Sequence, residues 1–144
     1  MDAEPLFLDE ETVIGLHDQQ IRLFTPAEDL TIGDYSGLRA AIASPQQTWC
    51  FDLNATLFDL AATYAYHISQ AQAFVNGNKR TGLQCALVFL DVNGYVLEAA
   101  GNMLFAEVSE MHTGPSAKPK FAAFLQSFSV RRGGLTEFLR RLFS

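Results

Sequence analysis

The feature that most constrains this chain is a short polar turn between two long apolar runs. The turn, at residues 74–81, reads Phe-Val-Asn-Gly-Asn-Lys-Arg-Thr, and an apolar run follows directly at residues 82–90. Before the turn, residues 55–71 carry apolar side chains on nearly every face of a helix. A short polar connection favours antiparallel packing of the helices that it joins. The pattern therefore predicts a central antiparallel helix pair at about 55–71 and 78–93.

The start of the second helix of this pair has the composition of an anion site. The first N–H groups of a helix have no partner inside it and lie at its positive end, so a phosphate gains both hydrogen bonds and dipole attraction there. Asn78 is predicted to cap this helix, and Gly77 lets the backbone approach a ligand closely. Lys79 and Arg80 oppose the helix dipole at a cost of about 0.3–1 kcal/mol each unless an anion offsets them. On spacing alone, a phosphate site and a solvated helix start explain these residues equally well.

This turn resembles the signature of the Fic/Doc (death-on-curing) family, which reads His-x-Phe-x-(Asp/Glu)-(Gly/Ala)-Asn-(Gly/Lys)-Arg. The match begins at Phe74, and residues 36–48, 57–62 and 93–95 are similar to Doc-type chains at the same relative positions. The likeness covers about residues 9–98. It implies an all-α fold and a nucleoside triphosphate, such as ATP, bound with Mg²⁺. It also implies transfer of AMP, or in Doc-type toxins of phosphate, onto a protein hydroxyl.

The resemblance assigns site residues and partners as well. It places Gly77, Asn78, Lys79, Arg80 and Thr81 in the cradle that binds the phosphates of the nucleotide. Doc-type members are usually toxins paired with an antitoxin, so an antitoxin chain and a protein target are the implied partners. The translation machinery is a candidate source of that target.

Two positions depart from the signature. Gln72 stands where the family has its catalytic histidine, and Asn76 stands where an acidic residue holds magnesium. A neutral carboxamide cannot take up a proton at working pH, so Gln72 cannot act as the general base. Asn76 keeps an oxygen for a metal, but Mg²⁺ is normally held by carboxylates and substrate phosphates, so its affinity should fall. The sequence therefore predicts a chain that binds a nucleotide and reacts poorly.

Three interpretations of these departures stay open at this point. The chain is a Doc-like transferase with weakened or unorthodox catalysis, or it is a Fic-fold module that binds a nucleotide or a partner without turnover. In the third, Gln72 and Asn76 are laboratory substitutions that silence a toxin, although replacing the histidine alone would suffice for that. His67 is the histidine nearest to the turn, but on a helix it points about 140° away from position 72, which favours a structural role.

Composition excludes several classes of protein. With 144 residues, 49% hydrophobic and 18% charged, the chain has globular composition and is predicted to form one domain over residues 1–144. The net charge of −6 argues against nucleic-acid binding, although the −9 on residues 1–60 suits either a basic partner or a solvated face. The sequence has neither a basic signal-peptide region nor an apolar run long enough to span a membrane. These features predict a cytoplasmic protein without a membrane partner.

Local patterns give further expectations about single residues. His17 lies among polar neighbours in a predicted helix at residues 9–24 and is expected at the surface. Cys50 and Cys85 lie in apolar surroundings and are both expected to be buried free thiols. The twelve phenylalanines predict an aromatic core between packed helices.

The remaining elements are predicted from turn residues and spacing. A short helix at residues 37–44 is expected to end at Pro45, and Asn54 is expected to cap the first central helix. Beyond the second central helix, the sequence predicts an extended link and three further helices. The link is expected at residues 95–97, and the helices at residues 102–111, from about Pro119 to Phe128, and at 135–142.

Overall fold

The protein is mostly helical. The computed structural model describes residues 4–99, 101–110, 114 and 116–132. Over these residues the chain forms α1 (Glu10–Phe24), α2 (Tyr35–Phe51), α3 (Leu57–Ala71), α4 (Asn78–Val92), β1 (Tyr95–Leu97), α5 (Gly101–Ser109), α6 (Ala117–Phe128) and β2 (Ser129–Arg131). The predicted all-α class is confirmed. None of the helices in the described ranges is long and apolar enough to cross a membrane.

The central pair consists of α3 and α4, as the sequence predicts. The two helices run antiparallel and meet closely where both backbones carry small residues, since a Cβ on Gly82 would lie only 2.7 Å from the carbonyl oxygen of Ala65. Helices α2 and α6 also pack on α3, and α1 packs on α4. Helix α3 is therefore central, and its buried residues are Leu60, Ala61, Ala62, Thr63, Tyr64, Ala65, Ile68 and Ser69.

Side-chain caps fix the starts of the first three helices. Asp9, Asp34 and Thr56 each accept a hydrogen bond from a backbone N–H in the first turn of α1, α2 and α3. The expectation that Asn54 caps α3 is wrong. Thr56 takes this place because Asp59, three residues later, accepts from the Thr56 N–H at 2.9 Å and completes a capping box.

Helix α2 is longer than the sequence predicts. The expected helix at 37–44 ending at Pro45 is wrong, because α2 continues through Pro45 to Phe51. A proline inside a helix removes one backbone hydrogen bond and costs about 3 kcal/mol. The side chain of Pro45 is buried on the same face as Leu38 and Ala41, so packing against α3 offsets that cost.

A two-stranded sheet forms from β1 and β2, and β2 lies near the C-terminal end of the described residues. Residues 95–97 are extended as predicted, but they pair with β2, which the sequence does not predict as a strand. The two strands are antiparallel, with Tyr95 opposite Arg131 and Leu97 opposite Ser129. The predicted helix at residues 135–142 lies outside the described residues.

The burial of the cysteine and phenylalanine residues agrees only in part with what the sequence predicts. Cys85 is buried as predicted, whereas Cys50 is exposed near the end of α2, so that expectation is wrong. Phe89 and Phe121 lie in the core, but Phe51 is 87% exposed. Apolar neighbours in sequence do not decide burial here, because burial depends on which distant segments pack against a residue in space.

Candidate functional site

The turn between α3 and α4 is held from outside by the segment that precedes α2. Ile32 and Phe74 form an isolated antiparallel bridge, and the Val75 N–H donates to the Thr31 carbonyl at 3.2 Å. Residues 31–34 therefore run along the turn like the neighbouring strand of a sheet. These contacts fix the backbone of the turn on this side.

Inside the turn, Asn78 has a different role from the one predicted. Its Oδ1 accepts from the Phe74 N–H at 3.0 Å, and its Nδ2 donates to the Phe74 carbonyl at 2.8 Å. The expectation that Asn78 caps α4 is wrong, because this buried side chain is committed to closing the turn. The cap residue is Gly77, which adopts the left-handed conformation with φ +80°.

Helix α4 consequently starts without a side-chain cap. A glycine supplies no acceptor, so within the described residues the N–H groups of the first turn have no side-chain cap, in contrast to those of α1, α2 and α3. In this first turn Lys79 is exposed, and Arg80 is partly buried. The Thr81 side chain is fully buried, and its Oγ1 has no hydrogen-bond partner within the described residues. The uncapped N–H groups and the two cations are of the kind that attracts an anion.

Arg80 is tied to the loop that follows α1. Its Nη2 donates to Thr25 Oγ1 at 3.3 Å and lies 3.8 Å from Glu28 Oε2. The guanidinium has five N–H donors, so these contacts leave several available to a ligand. A phosphate at the start of α4 would compete with Glu28 for this cation.

Gln72 and Asn76 lie on the turn but supply no base and no carboxylate. Gln72 ends α3 in the left-handed conformation with φ 50°, and its exposed side chain donates from Nε2 to the Ser69 carbonyl at 2.7 Å. The described residues contain no group of three or more His, Cys, Asp or Glu side chains that could hold a metal. The residues present therefore do not fit a magnesium site built from protein carboxylates.

His17 is the residue of this region that the sequence analysis misses. The expected surface position is wrong, because His17 is fully buried with 0% exposure. Its Nε2 lies 2.8 Å from the Asn76 carbonyl oxygen, and its ring stacks on Phe74 with centroids 3.8 Å apart. The signal that finds it is spacing, since Val13 and Ile21, four residues away on either side, are buried on the same face of α1.

His67, which lies in α3 five residues before Gln72, contacts α6. Its Nε2 lies 3.1 Å from Lys118 Nζ. Burial, followed by the nearby Lys118 cation, lowers the pKa of His67 below its ordinary value. Burial likewise lowers the pKa of Lys118. These contacts are those of a structural histidine between two packed helices.

Comparison with known proteins finds one family and two relatives. The profile of the Fic/DOC family matches residues 7–90. Toxin Doc of Mycolicibacterium smegmatis is 36% identical over 105 residues, which cover 71% of this chain and 81% of that protein. Protein kinase doc of Escherichia phage P1 is 32% identical over 84 residues, which cover 58% of this chain and 65% of that protein. The family match includes His17, α3, the turn and α4 as far as residue 90.

Proposed function

This chain belongs to the Fic/DOC family, and we propose that it is a Doc-like toxin that transfers phosphate or AMP from a nucleoside triphosphate to a protein hydroxyl. The observation that carries the proposal is the start of α4. There, backbone N–H groups without a side-chain cap adjoin two cations, Lys79 and Arg80. Nucleotide phosphates are the ligands that such a helix start favours.

Each residue of the cradle contributes in a different way. Gly77 adopts the left-handed conformation that precedes α4, and a Cβ there would lie only 3.0 Å from Ile21 Cδ1, so a larger residue would strain the start of the helix. Arg80 can grip two phosphate oxygens at once through its planar fork, whereas Lys79 acts as a point charge. The contact with Thr25 restricts the position of the Arg80 guanidinium. Arg80 should therefore contribute most to affinity.

We propose that Mg²⁺ enters with the nucleotide. The phosphate oxygens would supply most of its ligands, and of the turn residues Asn76 would offer a neutral side-chain oxygen. When bound, the metal would neutralise phosphate charge. An aspartate at position 76 would bind it more strongly.

Gln72 limits the rate in this proposal. A positioned general base typically contributes about 10²–10⁴-fold, and the carboxamide of Gln72 cannot accept the proton of the target hydroxyl. The lack of a carboxylate at position 76 affects the same transition state, so the two reductions in rate do not multiply. Residual transfer remains feasible because phosphoryl transfer depends strongly on positioning and electrostatics, which the cradle supplies.

The proposed partners follow from the relatives. One relative is named Toxin Doc and another Protein kinase doc. By analogy, we propose that this chain acts on a cytoplasmic protein, with a component of the translation machinery as the first candidate. An antitoxin chain would keep it inactive.

Calorimetry with ATP tests the binding half of the proposal. The wild-type chain should bind ATP, and Arg80→Ala should weaken binding by about 10–100-fold through loss of a charge-assisted contact. Arg39→Ala is the matched control, since Arg39 is an exposed arginine of α2 that pairs with Glu10. If the wild-type chain does not bind ATP at millimolar concentration, or if Arg80→Ala binds ATP as well as the wild type does, the assignment of the phosphate cradle is wrong.

Radiolabelled ATP tests the chemical half. A label on the γ-phosphate reports phosphate transfer, and a label on the α-phosphate reports AMP transfer, onto proteins of a cell extract. Growth arrest on expression, relieved by a co-expressed antitoxin, would support the toxin assignment.

A second candidate function is a Fic-fold module that binds a nucleotide or a partner without turnover. The neutral Gln72 side chain, bonded to the Ser69 carbonyl, favours it. ATP binding without transfer of either label, and without growth arrest, would establish this second function.

A further inference from the structure

One peptide of the turn is anchored from the buried side of the protein. The Asn76 carbonyl points to His17 Nε2 at 2.8 Å, and His17 lies in the core with no exposed surface. We propose that His17 is a positioning residue of the phosphate site, which orients the peptide between Asn76 and Gly77 for anion binding. This inference rests on the proposed function, since it concerns the same site.

The orientation of that peptide decides where its N–H points. No cis peptide bond occurs in the described residues, so the Asn76 C=O and the Gly77 N–H point in opposite directions. With the carbonyl directed inward at His17, the Gly77 N–H is directed away from the core. It donates to no acceptor within the described residues. It therefore adds one more backbone donor to those at the start of α4.

Without an anchor, this peptide could rotate at little cost. Gly77 has φ +80°, and glycine adopts positive and negative φ about equally well. Rotation of the peptide would exchange the two groups and turn the Asn76 carbonyl oxygen outward. A carbonyl oxygen facing a phosphate repels it, so the orientation fixed by His17 matters for anion binding.

The surroundings of His17 hold its ring with Nε2 directed at the Asn76 carbonyl oxygen, a group that can only accept a hydrogen bond. The ring lies nearly parallel to Phe74, at 6°, with centroids 3.8 Å apart. Its other nitrogen, Nδ1, lies 3.0 Å from Asp18 Oδ1. Stacking and this second contact together restrict ring rotation, so Nε2 stays directed at the turn. Ile21 packs on the same side, where its Cδ1 would lie 3.0 Å from a Cβ at Gly77.

The test compares three variants by pyrophosphate and ATP binding, by melting temperature and by the NMR signal of the Gly77 amide. His17→Phe keeps the stacking and removes the donor, whereas His17→Gln restores an N–H near the position of Nε2. Ile21→Val is the packing control, because it removes a methyl group beside Gly77 and leaves the anchor intact. We expect His17→Phe to weaken pyrophosphate binding by about 10–100-fold, the usual worth of a hydrogen bond to a charged group.

The other expected results separate positioning from stability. The Gly77 amide signal should shift with pyrophosphate in the wild-type chain and should stop responding in His17→Phe. His17→Gln should recover most of the binding, and Ile21→Val should lower the melting temperature without changing affinity. Binding by His17→Phe equal to that of the wild type, with the same Gly77 response, would overturn the role of His17 alone.

Two further measurements use the wild-type chain, so they do not depend on whether a variant folds. An unprotonated Nε2, seen in the ring ¹⁵N spectrum, or a Gly77 amide that pyrophosphate leaves unmoved while neighbouring amides respond, would also overturn the role of His17. If neither pyrophosphate nor ATP binds the wild-type chain, the proposed function fails and this inference fails with it.

Discussion

At the scale of single residues, Gln72 has a backbone conformation that a histidine tolerates. It is exposed at the end of α3 with φ 50°, a region that histidine visits more readily than most residues. Gln72→His combined with Asn76→Asp should therefore accelerate single-turnover transfer by about 10²–10⁴-fold at fixed ATP and Mg²⁺, because a general base and a metal ligand are regained.

The two single variants separate these contributions. Gln72→His alone should recover most of the rate, and Asn76→Asp alone should mainly lower the Mg²⁺ concentration that the reaction requires. Equal rates for the wild-type chain and the double variant would show that another residue transfers the proton. His67 would then be the first candidate to replace.

The two cysteines should differ in reactivity. Cys50 is exposed, whereas burial raises the pKa of the Cys85 thiol to about 12. Thiolate is the reactive form, so a thiol reagent at pH 8 should modify one cysteine in the folded chain and both in denaturant. Cys50→Ala should abolish the reaction of the folded chain. Two reactive thiols in the folded wild type would contradict the burial of Cys85.

At the scale of elements, the contact between α3 and α4 depends on a glycine. In Gly82→Ala the new Cβ would lie 2.7 Å from the Ala65 carbonyl oxygen, so the two backbones must separate. Overpacking of this kind costs about 1–3 kcal/mol. The higher helix propensity of alanine stabilises the folded chain by no more than about 1 kcal/mol, so the net effect should be destabilising. Thermal or urea unfolding measures it.

Gly15→Ala is the matched control for that substitution. Gly15 is an exposed residue of α1, and a Cβ there would meet nothing within 4 Å. The same chemical change should therefore stabilise the chain by about 0.5–1 kcal/mol. A rise in melting temperature for Gly82→Ala as well would show that the two helices can separate without cost.

At the scale of the whole molecule, the core should make the fold sensitive to alkaline pH. Burial raises the pKa of Cys85 to about 12 and is the main cause that raises the pKa of Tyr64 to about 12. The folded state therefore keeps protons that the unfolded chain loses from about pH 9 upward. By linkage, stability is fully present below the unfolded pKa values and is lost as pH rises towards 12.

Melting curves between pH 8 and 11 measure this loss. Each pH unit over which only the unfolded state has lost a proton costs about 1.4 kcal/mol for each group. Cys85→Ala removes one of the two groups, so its melting temperature should start lower and fall less steeply. A melting temperature that stays constant to pH 11 would contradict the burial of both groups.

Local sequence is sufficient to predict the helices and the turn next to the candidate site. Apolar spacing locates α3 and α4, and the polar turn between them predicts that they are antiparallel neighbours. The left-handed Gly94 that follows α4 and the extended link at residues 95–97 are also local effects. These features depend on residues within a few positions of one another, which is why periodicity and turn chemistry identify them.

The contacts that shape the site are decided only by the tertiary structure. Arg80 is tied to Thr25, 55 residues away, and His17 to the Asn76 carbonyl, 59 residues away. Local pattern cannot reveal such pairs, because the polar neighbours of His17 in sequence do not determine what packs against it in space. For the same reason, propensity alone ends α2 at Pro45, whereas packing on α3 carries the helix beyond it. The sequence by itself determined the turn and its two cations. The tertiary structure decided which distant residues contact the turn, because burial and long-range hydrogen bonds form only when distant segments meet.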